Sequence, residues 1–185
     1  MTSWHIRQAT RLLRAGGVVA YPTETVYGLG CDPLDFQAVK QILALKQRPM
    51  EKGLILIAAN LKQLQPYIDI SDPKLLAKLQ HPTTHPTTWI APARPCIPQW
   101  LTGNHDTIAV RICQHPIASQ LCAAFGNAIV STSANPARQT PAHNALAVRR
   151  YFDGKLDYVL AAHTERQARP SQIKNLLDDN ILRPR

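Results

Sequence analysis

The sequence predicts one α/β domain of the α+β kind, built on a mostly mixed β-sheet, and three observations carry that expectation. Strand-like and helix-like segments alternate through most of the chain, the pattern of a sheet flanked by helices. Several predicted strands nevertheless follow one another with no helix between them, so parallel and antiparallel neighbours must mix. The length of 185 residues, with 45% apolar and 18% charged side chains, suits one domain with a substantial core. Residues 1–185 are expected to form that single domain, with no additional C-terminal one.

Taken in order, residues 6–13 space their apolar side chains as a helix does, and Gly16-Gly17 ends it. Residues 17–21 form a short buried strand stopped by Pro22. The stretch VVAYPTETVYGLGCD then places two threonines around a glutamate and a glycine pair before the next helix. From Asp35, DFQAVKQILALKQRP puts Phe36, Val39, Ile42 and Leu43 on one helical face, and Pro49 forces the exit. The run GLILIAA, residues 53–59, reads as a strand buried on both faces.

Asn60 caps a helix through Tyr67, and Ser71-Asp72-Pro73 is a second start with proline at the first helical position. The tandem HPTTHPTT is too short for a repeat architecture and reads as a surface loop. Residues 87–91, 107–113 and 128–131 are three further strands, with a helix over 116–125 closed by Gly126. A helix over 144–152 and a strand over 157–162 complete the pattern.

The net charge of +9 is diffuse: ten cations face six carboxylates in residues 1–93, and eleven face six in the remainder. Such a field suits polyanionic partners, nucleotides or RNA, without defining a fold. The four cysteines (Cys31, Cys96, Cys113, Cys122) form no CxxC pair, and MTSWHIRQATRLLRAGG has no apolar signal core, so a cytoplasmic location with reduced thiols is expected. The apolar runs fall well short of the ~18 residues that span a bilayer.

Familiar catalytic signatures are absent. There is no GxxxxGK[ST] loop, and GLGCDP places Pro33 where the third glycine of GxGxxG belongs. His81 and His85 are four apart, yet Pro82 and Pro86 forbid the helix that would aim both at a metal. No GxSxG elbow occurs. What remains is a set of hydroxyls and cations at predicted element ends: Thr23 and Thr25, Lys46 and Arg48, Arg111 within TIAVRIC, and STSAN from Ser131 to Asn135. Each alone is explained by helix-dipole complementation or turn chemistry. Together they bring guanidinium, ammonium and hydroxyl donors, groups suited to phosphate and carboxylate.

The segments YPTETVYGLGCD, LKQRPMEKGLILIA, AVRICQHP and STSAN resemble, in order and spacing, the YrdC-type threonylcarbamoyl-AMP synthases in their short form. The resemblance runs from about Val18 to Arg183. Its most specific elements are Lys46-Gln47-Arg48 and Ser133-Ala134-Asn135. It implies a twisted sheet around a basic cavity. It also implies a nucleotidyltransferase that turns L-threonine, bicarbonate and ATP into threonylcarbamoyl-adenylate and pyrophosphate, for N6-threonylcarbamoyladenosine at position 37 of ANN-decoding tRNAs. No protein nucleophile is needed, because the substrates attack one another.

By the same resemblance, Lys46 and Arg48 hold phosphates, with Ser133 and Asn135 completing that pocket as the catalytic set. Thr107 and Arg183 are further ATP contacts, and Thr23, Thr25, Arg111, Ser131 and Ser171 form the threonine pocket. Glu24 is a structural acceptor rather than a base. Mg2+ accompanies ATP without a carboxylate cage. Downstream tRNA threonylcarbamoyl-transfer proteins are implied partners, and the basic surface leaves direct tRNA contact open. Two segments depart from the family pattern, TTHPTT and HTERQARPS, the latter with Arg166 and Arg169. Of two rival readings, a non-catalytic double-stranded RNA- or tRNA-binding module is disfavoured because the sequence is only 6% aromatic, has no stacking motif and carries hydroxyls that an RNA clamp would not need. A ribulose-phosphate-processing synthase of similar fold would need an acidic magnesium site that the sequence does not offer.

Overall fold

The computed structural model describes residues 3–162 and 170–184. In chain order the elements are α1 (Ser3–Arg14), β1 (Val19–Tyr21), β2 (Gly28–Gly30), α2 (Phe36–Lys46), β3 (Ile55–Ala58), α3 (Leu61–Leu64), α4 (Pro73–Gln80) and β4 (Thr87–Pro92). They continue as α5 (Gln99–Thr102), β5 (Thr107–Ile112), α6 (Pro116–Phe125), β6 (Ile129–Ser133), α7 (Ala145–Phe152), β7 (Tyr158–Val159), β8 (Gln172–Asn175) and β9 (Ile181–Arg183). The strands form one sheet in the order β7-β1-β2-β6-β3-β5-β4-β8-β9. Pairs β1–β7, β3–β5 and β4–β8 are parallel and the others antiparallel, so the sheet is mixed as expected.

Local chemistry sets the helix boundaries. Asp35 accepts from the backbone N–H groups of Gln37 and Ala38, and Asp72 from Lys74 with Pro73 behind it. At the other end of α6, Gly126 takes φ 90° and its N–H reaches the Cys122 carbonyl.

The sheet is covered on both faces, and the alternation of side chains along each strand divides them between two cores. Val18, Ala20, Leu56, Ala58 and Val130 face one core with α2. Val19, Tyr21, Ile57 and Ile129 face the other, beneath α1 and α6. This division explains why GLILIAA is apolar at consecutive positions. The face beneath α1 and α6 continues past those helices, where the same alternation presents Arg111, Ser131 and Ser133 instead of aliphatic side chains.

Several sequence expectations need correction. The GLG of the opening stretch, read from sequence only as a glycine pair before the next helix, is strand β2 and pairs antiparallel with β1. Its glycines are required by the Tyr21 ring lying across them: a Cβ on Gly30 would sit 2.7 Å from that ring and 2.6 Å from the Val130 carbonyl. Phe36 is 40% exposed and stacks on Trp100, while Lys46 takes a buried place on α2. The helix after Asn60 is a single turn.

The second Thr-Thr of HPTTHPTT belongs to β4, with Thr88 bonded to Ser171. The strand expected over 157–162 shortens to Tyr158–Val159, and beyond it the Leu160 and Ala162 carbonyls accept from the Tyr27 hydroxyl rather than from a neighbouring strand. Helix α5 and the β8–β9 hairpin carry no apolar periodicity of their own and were not anticipated. Of HTERQARPS, residues 163–169, Arg166 and Arg169 among them, lie outside the described part of the chain.

Candidate active site

The uncovered part of the sheet face forms a cavity of about 250 Å³. Its wall contains Thr23, Thr25, Arg48, Arg111, Ser131, Ser133, Ser171 and Arg183, eight of the residues singled out in the sequence. Strands β5 and β6 supply Arg111, Ser131 and Ser133, while the loops after Tyr21 and before β8 supply the threonines and Ser171. No acidic, cysteine or histidine side chain lines it among the described residues. Nor does any group of three or more His, Cys, Asp or Glu side chains converge to hold a metal there or elsewhere among those residues.

The threonine loop is tied by its own hydroxyls. Thr23 Oγ1 donates to the Val26 carbonyl at 2.7 Å and accepts the Thr25 N–H at 3.2 Å, while the two hydroxyls meet at 3.0 Å. A hydroxyl has one proton, so with Thr23 donating to Val26 it is Thr25 that donates to Thr23. Thr25 Oγ1 therefore keeps acceptor capacity at the cavity wall.

The cations gather without compensating carboxylates on the wall. Arg48 leaves α2 through Gln47, which adopts a left-handed φ of 49°, and its Nη2 donates to the Gly53 carbonyl at 2.9 Å. Arg183 donates to the Ser171 carbonyl at 2.6 Å, linking β9 to the residue beside Thr88. Burial and then the neighbouring Arg183 hold Arg48 below its ordinary pKa; burial and then Arg111 do the same to Arg183. A cavity whose cations disfavour one another is ready for a polyanion.

Lys46 stands apart from the expected direct phosphate contact. It is 7% exposed and does not line the wall. Its ammonium donates to the carbonyls of Ser133 and Asn135, the latter at 2.9 Å, and lies 3.3 Å from Asn135 Oδ1. Burial, followed by repulsion from Arg48, pushes its pKa down to about 8. Asn135 is likewise outside the wall, with its amide nitrogen donating to the carbonyls of Pro136 and Gln139. Thr107 begins β5 opposite Pro92, also off the wall. Sequence reasoning missed Lys52, Tyr27 and Pro170, which do line it. Lys52 left one usable signal: a second cation four residues after Arg48, immediately before the buried run from Gly53.

Glu24 points away from the cavity. Its Oε1 accepts the N–H groups of Gln114 and His115, and its Oε2 lies 3.6 Å from Arg111 Nη2. Burial pushes the carboxyl up, but Arg111 and the backbone donors together hold it below its ordinary value. That is the structural acceptor role expected from the sequence.

Comparison with known proteins shows the family of the chain. Residues 11–184 match the profile of the telomere recombination family Sua5/YciO/YrdC. The chain is 49% identical over 179 residues to the threonylcarbamoyl-AMP synthase of Cellvibrio japonicus, covering 97% of this chain and 95% of that protein. It is 48% identical over 173 residues to the threonylcarbamoyl-AMP synthase of Nitrosococcus oceani, covering 94% of each. The crystal structure of P. abyssi Sua5 complexed with L-threonine superposes with a TM-score of 0.89 at 34% identity, over 100% of this chain and 55% of that one. The present chain thus spans about half the length of that longer protein. The chain belongs to the Sua5/YciO/YrdC family and falls among its threonylcarbamoyl-AMP synthases.

Proposed function

We propose that the cavity holds L-threonine beside Arg111 and the ATP phosphates beside Arg48, Lys52 and Arg183, and that bicarbonate joins them there to give threonylcarbamoyl-AMP. The observation that carries this reading is the wall itself, four cations and seven hydroxyl-bearing residues with no acidic side chain among the described residues. The family's activity serves N6-threonylcarbamoyladenosine formation at position 37 of ANN-decoding tRNAs, and downstream transfer proteins consume the adenylate.

The threonine amine attacks the carbonyl carbon of bicarbonate, water leaves, and a carbamate forms. A carbamate oxygen then attacks the α-phosphorus, and the bond to the β-phosphate oxygen breaks to release pyrophosphate. The chain's part is positioning and charge neutralisation, the main contributions a protein makes to transfer at phosphorus. Arg111 grips the threonine carboxylate in its planar fork, and Thr25 Oγ1 accepts the substrate hydroxyl proton. Arg48, Lys52 and Arg183 face the charge that develops on the departing pyrophosphate. ATP enters as its magnesium complex, the ion held by phosphate oxygens and water, which suits a wall without carboxylates.

Lys46 and Asn135 act one layer behind, holding Ser133 on the wall, and Thr107 fixes the start of the strand that bears Arg111. The test is pyrophosphate release from ATP. It should require both threonine and bicarbonate; release that ignores either substrate would refute the proposal.

A further inference from the structure

Arg111 separates two spaces. On one side is the large cavity; on the other is a small one of about 30 Å³, whose lining includes Glu24, Thr87, Trp89, Arg111 and Gln114. Glu24 belongs only to the small one, so it does not reach the substrates. Its two oxygens have different surroundings. Oε1 takes the Gln114 and His115 N–H groups just ahead of α6, where the positive end of that helix's dipole also favours an anion. Oε2 has no hydrogen-bond partner and faces Arg111, whose Nε is also without one. The two side chains are 16% and 8% exposed. Water therefore screens their attraction only weakly.

We infer that Glu24 is the positioning residue for Arg111: from behind, its charge holds the guanidinium in the orientation that presents the fork to the amino-acid carboxylate. The inference rests on the proposed placement of threonine beside Arg111. Because Glu24 sits between Thr23 and Thr25, the same anchor fixes the threonine loop against α6, so both contacts to the amino acid depend on one carboxylate.

Glu24→Gln isolates the charge. The amide oxygen keeps accepting from Gln114 and His115, while an NH2 group replaces Oε2 opposite a guanidinium that can only donate. Donor then faces donor, and Arg111 must turn away. Calorimetry on the full chain with L-threonine and ATP separately, together with steady-state pyrophosphate release, provides the readout. The expected result is threonine binding weakened about five- to twentyfold, with KM for threonine rising in step and ATP affinity within about twofold of wild type. Unchanged threonine affinity overturns the inference, as does an equal loss of both affinities, which would mean a merely structural role.

Arg111→Lys, run alongside, keeps the charge and loses the fork. Threonine binding that survives in this control sinks the placement of threonine itself. Threonine binding lost in Arg111→Lys but intact in Glu24→Gln sinks only the role of Glu24.

Discussion

Replacing Lys46 with Met removes the ammonium while a chain of similar length still fills its slot. Two hydrogen bonds from a cation to the carbonyls of Ser133 and Asn135 are lost. Bonds of that kind contribute about 1.5–3 kcal/mol each, and their loss alone would be severe. Burial and Arg48 oppose the same charge, however, strongly enough to bring the pKa down from 10.5 to about 8. Met leaves two carbonyls without that donor while also removing a disfavoured charge, so the net loss of stability should fall toward the low end of the about 1–3 kcal/mol that an orphaned buried acceptor costs. For a chain of this size that shifts Tm by about 2–4 °C per kcal/mol.

Catalysis should suffer far more, because Ser133 on the wall loses its anchor and a misplacement of about 1 Å costs on the order of a hundredfold. Linkage gives an independent check. Below pH 8 the lysine is charged in both folded and unfolded chains, and above 10.5 it is neutral in both. Between those values the unfolded chain binds more protons, so the Lys46 contribution makes the protein more stable as pH rises. Lys46→Met should flatten that rise in urea denaturation series at stepped pH. Wild-type turnover in Lys46→Met would refute the positioning argument, and an unflattened pH dependence would refute the electrostatic one.

Arg48→Ala should lower kcat/KM for ATP by about 2–4 kcal/mol of transition-state stabilisation, measured by pyrophosphate release; an unchanged value removes Arg48 from the phosphate site. Serine, which lacks one methyl, should be a usable but poor substrate, and 2-aminobutyrate, which lacks the hydroxyl, should be worse, because Thr25 would lose its partner. A 2-aminobutyrate rate equal to or above that of serine under saturating ATP and bicarbonate rejects Thr25 as the reader of that hydroxyl. Gly30→Ala should destabilise the fold by about 1–3 kcal/mol in urea denaturation, since its Cβ would be forced onto the Tyr21 ring; a neutral result means the ring yields freely.

What the sequence by itself determined is local. Asp35, Asp72-Pro73 and Gly126 mark helix boundaries because a cap bonds within a few residues of itself. The apolar run around β3 shows a strand covered on both faces, with Leu56, Ile57 and Ala58 buried. The hydroxyls and arginines of the wall were legible as a set because their chemistry, and the order of the segments carrying them, is written in residue types. No helix among the described residues is long and apolar enough to cross a membrane.

Tertiary structure decided everything that depends on distant partners. Gly28–Gly30 is a strand because β1 and β6 pair with its two edges, with the Tyr21 ring across it admitting only glycine at Gly30, and β8 exists because β4 offers it an edge. The partners of Lys46 are set the same way, since Ser133 and Asn135, nearly ninety residues away, supply the carbonyls that meet its ammonium. Glu24 meets Arg111 across a similar separation. No local propensity encodes such meetings, because they form only when the sheet has set its strand order and α1 and α6 have covered one part of a face and left the rest open as the cavity.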